Sequence, residues 1–170
     1  MRKPVLAAVA ALVTAVLLSV GLSQRHSGPP PLGTGNVGPG LQCEGSDIRQ
    51  PVTMGIFALT NSSDEKVTLA SVRLAGGEGQ KMASPAFLAP IVHTTLLGAQ
   101  PWPPAGAAWR RRRLAAGAAI APHVTTNLVF AQTRTSTRTR SAAVQITYTA
   151  GGTGYTLTEA VRVLVAADCT

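Results

Sequence analysis

Carboxylates, aromatic rings and metal-binding side chains are all scarce in this chain. Seven Asp and Glu stand among 170 residues, against fifteen Lys and Arg, and only 13% of positions are charged. Asp64 and Glu65 fall in a polar turn, and Glu44 and Asp47 flank Cys43. No spacing among them sets up two carboxyl groups across a cleft, as acid–base chemistry requires. Three histidines, one of them His26 in a Gly/Pro-rich stretch, give a nucleophile–histidine–acid triad little to draw on. The sequence therefore reads as non-enzymatic. Aromatics make up 4% of the chain, which leaves few platforms for stacking bases and argues against nucleic acid as a partner. The two cysteines, Cys43 and Cys169, lack the CxxC pairing of a zinc site. The glycine-rich GTGNVG at 33–38 has no strand before it and no helix after it, so it does not read as a phosphate loop. No metal and no cofactor are expected.

What is present begins at the amino terminus. Arg2 and Lys3 precede an uncharged run over residues 4–22. A cationic flank, an apolar core and the small residues Ser19 and Gly21 match a secretory signal. The run also just reaches the roughly 20 apolar residues that a spanning helix needs. Cleaved signal or membrane-spanning anchor, both place the rest of the chain outside, because Arg2 and Lys3 stay on the cytoplasmic side. Residues 1–22 are thus read as a signal peptide or signal-anchor helix, and the protein as secreted or as membrane-anchored facing the extracellular side. Residues 23–42 are rich in Gly, Pro and Ser and read as a linker, extended around Pro29, Pro30 and Pro31. Residues 43–170 form the domain, with one cysteine near each end. In an exported chain that pair reads as a disulfide, free thiols being the alternative.

Between the cysteines the hydrophobic period is two. PVTMGIFALTN at 51–61, the polar turn SSDEK and VTLASVRLAG at 67–76 read as a hairpin. VTTNLVF at 124–130 and AVQITYT at 143–149 are further strands, and AGGTG leads into a closing meander with Tyr155, Leu157, Val161, Val163 and Val165. Six to eight short strands with no helical stripe predict an all-β fold. Its expected form is an antiparallel β-sandwich of immunoglobulin-like or cupredoxin-like type, with an open sheet as the alternative. The proline-punctuated stretch 76–122 reads as edge strands and a long excursion.

The phrases FALTNSSDEKVTLASVRLAG, IAPHVTTNLVF and AVQITYTAGGTGYTLTEAVRVLV resemble the exported immunoglobulin-like sandwich modules of high-GC Gram-positive bacteria, a largely uncharacterised class. The resemblance spans about residues 43–170 and implies fold and compartment, not a site. A weaker resemblance, to cupredoxin-like periplasmic copper chaperones, implies a copper carrier using His and Met ligands. The candidates are Met54, Met82, His93 and His123, but no His-x-Met pair occurs among them.

The remaining signal is positive charge. Residues 79–170 hold nine cations against Glu159 and Asp168. WRRRR, from Trp109 through Arg110, Arg111, Arg112 and Arg113, places guanidinium groups beside an indole on an expected exposed loop. In TRTSTRTR, Arg134, Arg138 and Arg140 share one face of an extended stretch. These eight residues are the candidate binding set. Their expected partners are anionic envelope polymers, phospholipid head groups or another envelope protein.

Overall fold

The computed structural model describes residues 29–36, 42–45, 47, 50–136, 142–161 and 163–166. The apolar leader, Arg138, Arg140 and Cys169 lie outside the described residues. In chain order the strands are β1 (Leu32–Asn36), β2 (Gln42–Gly45), β3 (Val52–Asn61), β4 (Val67–Gly76), β5 (Gln80–Met82), β6 (Phe87–Ala89) and β7 (Gly98–Pro101). A single helical turn α1 (Ala107–Arg110) follows, then β8 (Arg113–Leu114), β9 (Ala119–Ile120), β10 (Thr125–Arg134), β11 (Ala142–Ala150), β12 (Thr153–Ala160) and β13 (Val163–Ala166).

Two antiparallel sheets pack face to face as a β-sandwich. The first is centred on β3 and β10. The other edge of β3 is shared by β1, opposite residues 57–61, and β7, opposite residues 52–55. The free edge of β10 is likewise shared by β6 and β5, and β8 adds to β6. The second sheet runs β12-β11-β4-β9. Alternation puts Leu128 and Phe130 of the first sheet against Leu69, Val144, Ile146 and Tyr148 of the second, all within one buried core. Phe57 and Phe130 stack at 6.2 Å inside it.

β3 and β4 occupy the predicted segments but do not form the expected hairpin, since each belongs to a different sheet. Residues 62–66 instead arch from one layer to the other. Asn61 fixes that arch: its Nδ2 donates to the Glu65, Ile120 and Ala121 carbonyls, and its Oδ1 accepts from the Ser63 N–H and Oγ. A polar turn looks the same in sequence whether it reverses within a sheet or crosses between two. The closing meander holds for β11 and β12, while β13 leaves it to run parallel to β2. In that pair Cys43 stands opposite Leu164.

The linker reading also changes over its described part. Residues 32–36 are strand β1, and Leu32 is fully buried in the core. Backbone pairing along β3 and one buried leucine outweigh a Gly-rich composition that favours disorder. The proline-rich stretch 76–122, read as edge strands and a long excursion, holds the short strands β5 to β9 and the turn α1. Among the described residues no helix is long and apolar enough to cross a membrane.

Candidate functional site

The outer face of the first sheet carries a second, smaller apolar cluster, and this cluster positions the arginines. On β6 the alternation sends Leu88 into the main core, while Ala89 is buried on the outside with Val129 and Trp109. Phe87, Leu97 and Trp102 pack around them. Gly106, at φ 104, starts α1 in a backbone region that favours glycine. The turn closes through N–H bonds from Arg110 to Gly106 O, Arg111 to Ala108 O and Arg112 to Trp109 O. The indole of Trp109 then meets Phe87 edge-on at 5.2 Å and Trp102 edge-on at 5.1 Å.

Trp109 was expected on an exposed loop and is instead 7% exposed. It is the anchor of the arginine segment and not part of its surface. Burying an indole removes more apolar area from water than burying any other side chain of residues 105–113, so the turn folds inward at that residue. Arg112 follows it: its guanidinium lies 4.2 Å from the Trp109 ring centre and 5.5 Å from that of Phe87. Its Nη1 also donates to Trp109 O at 3.1 Å. Arg110 and Arg111 are exposed. Arg113, also exposed, is held in β8 opposite Leu88, and its Nη2 donates to Ala119 O at 2.5 Å.

Arg134 does not lie on an exposed face, and Arg138 and Arg140 lie outside the described residues. It is the last residue of β10, paired with Gln80 of β5, and only 3% exposed. The strand persists further than TRTSTRTR implies because β5 continues the ladder. Alternation from Leu128 and Phe130 then carries Gln132 and Arg134 onto the buried face. Among the described residues Arg134 Nε and Nη1 have no hydrogen-bond partner.

The copper candidates are not gathered. Met54 is fully buried and Met82 packs against the same core. His93 is exposed in a turn at φ 51, and His123 Nε2 lies 2.9 Å from Asp64 Oδ1 on the surface. Among the described residues no three His, Cys, Asp or Glu side chains cluster as metal ligands would.

A groove of about 450 Å³ beside the arginine segment had no counterpart in the sequence reading. Arg111 and Arg113 form part of its lining, with Leu88, Pro90, Ile91 and Val124. Its walls come from three stretches well separated in the chain, so no local motif announces it. The FLAPIV run at 87–92, an apolar strand broken by proline, is the nearest thing to a signal. No protein-family model matches the chain, and no curated protein or solved structure does either.

Proposed function

We propose that this chain is a non-enzymatic, exported β-sandwich module, secreted or anchored at the cell envelope. In this reading it contacts anionic groups through its arginine segment. The observation that carries the proposal is the arrangement of residues 109–113. One aromatic anchor, Trp109, holds a turn on which Arg110, Arg111, Arg112 and Arg113 are all exposed, Arg112 lying with one face on the Trp109 ring. A cluster fixed in this way loses less side-chain freedom on binding than a flexible basic loop, and guanidinium groups suit phosphate and carboxylate oxygens. The cationic flank and apolar run of residues 2–22 support export. The neighbouring strands β2 and β13 support a Cys43–Cys169 disulfide in an oxidising compartment, since one carries Cys43 and the other leads toward Cys169.

Soluble polyphosphate is a suitable probe, because the apolar run of the leader does not bind it and any contribution of Arg2 and Lys3 is the same in the wild type and the variants below. The full chain is expected to bind polyphosphate with an affinity that falls steeply between about 0.05 and 0.3 M salt, since exposed charges are screened over about 10 Å. The double substitution Arg110→Ser, Arg111→Ser is expected to weaken binding at least about fivefold, whereas Lys66→Ser is expected to leave it nearly unchanged. Equal binding by wild type and the double variant would overturn the proposal.

A further inference from the structure

We propose that the groove beside the arginine segment is a site for an anionic amphiphile. Arg111 and Arg113 would take a phosphate or carboxylate head, and Pro90, Ile91 and Val124 would take an alkyl chain, over a floor formed by the buried Leu88. This rests on the reading that the arginine segment meets anions, and it names the kind of molecule met.

Three observations favour it. Among the described residues the groove is lined by two arginines, two threonines and otherwise apolar residues, with no carboxylate. Its volume of about 450 Å³ falls in the range of small-molecule sites. Val124, 44% exposed, is with Leu114 one of the two most exposed large apolar side chains among the described residues, and it stands in this groove. An alkyl chain would remove that surface from water.

The backbone argues against a peptide strand as the occupant. β6 uses the edge of β10 from Asn127 to Val129. Thr126 Oγ1 donates to Ala89 O at 2.9 Å, tying down the next position. Only Thr125 of β10 precedes these, too little ladder for strand addition. The site is also firm. Leu88 is 1% exposed between β10 and β8, and Arg113 is held opposite it. Arg112, turned to the aromatic cluster, leaves Arg111 and Arg113 to line the groove.

The test uses the full chain with octyl phosphate, inorganic phosphate and octyl glucoside, each below its micelle-forming concentration. Binding is read as slowed hydrogen exchange at residues 88–91 and 124–126, which separates the groove from the apolar leader. Octyl phosphate is expected to protect both segments at a concentration at least about tenfold lower than either probe that has only half its chemistry. Arg111→Ser with Arg113→Ser is expected to abolish that protection. Val124→Ser, at an exposed position that leaves the fold intact, is expected to weaken octyl phosphate several-fold and leave inorganic phosphate unchanged. Octyl phosphate acting no better than inorganic phosphate overturns the amphiphile site while the anion-contact reading stands. Octyl glucoside acting as well as octyl phosphate overturns the role of the two arginines in the groove. No response to either phosphate, combined with lost polyphosphate binding, overturns both proposals.

Discussion

Single polar side chains inside this sandwich have sharply different fates. Asn127, 1% exposed, uses its Nδ2 to donate to Gly55 O and Phe57 O and its Oδ1 to accept from the Leu97 N–H. It ties the loop at Leu97 to the centre of the first sheet, next to the register shift between Leu128 and Phe130. Arg134 is the opposite case, a permanently charged group in the interior with two nitrogens unpartnered among the described residues. Burying a charge costs several kcal/mol unless it is paired. Arg134→Met is therefore expected to raise stability by about 1–3 kcal/mol, read as a higher urea midpoint. A lower midpoint would show that the guanidinium is engaged after all.

Tyr148 is 1% exposed, and burial pushes its phenol above the usual 10.0, the nearby Leu32 backbone offsetting part of this. The folded chain thus holds that proton more tightly than the unfolded one. Stability from this group is complete below 10.0 and is lost as pH rises above it. Urea titrations at about pH 9 and about pH 11 are expected to show a drop that Tyr148→Phe reduces. An identical drop in the variant would assign the loss to other groups.

At the level of elements, the arginine segment divides into an anchoring half and an outward half. Arg112→Ala removes a cation stacked on Trp109 together with a hydrogen bond to its carbonyl. The expected loss is about 1 kcal/mol of stability, with polyphosphate affinity changed far less than by Arg110→Ser with Arg111→Ser. Affinity falling as much in Arg112→Ala would mean that Arg112 itself meets the anion. How much of this was legible in the sequence depended on range. β4 has the bounds read from its alternation, and β3 and β11 differ by a residue at their ends, because a period of two is local information. The partner of β4 is not local: SSDEK reverses the chain in either topology, and Asn61, which makes it an arch, is one unremarked polar residue. The charge cluster was visible, but the burial of Trp109 was not, because its pocket needs Phe87 and Val129, both about twenty residues away in the chain, besides the nearby Trp102. The groove is non-local for the same reason.

Over the whole molecule, the two long sheets share one core while the short pair β2 and β13 joins segments more than a hundred residues apart. A Cys43–Cys169 bond would close a loop of similar length, and in the chain-entropy model that constraint is worth on the order of 5 kcal/mol. Reductant, or Cys43→Ser, is expected to lower the thermal midpoint markedly. Thiol alkylation of the unreduced, unfolded chain is expected to modify neither cysteine. Two alkylated cysteines in exported material would rule the bond out.

Both tryptophans of the chain, Trp102 and Trp109, belong to the small cluster on the outer face and neither to the space between the sheets. Indole emission from this protein is consequently a local gauge of whether the turn at 106–112 is seated. A fluorescence melt would follow that turn letting go, and far-ultraviolet dichroism or tyrosine signals would be needed to follow collapse of the layers themselves.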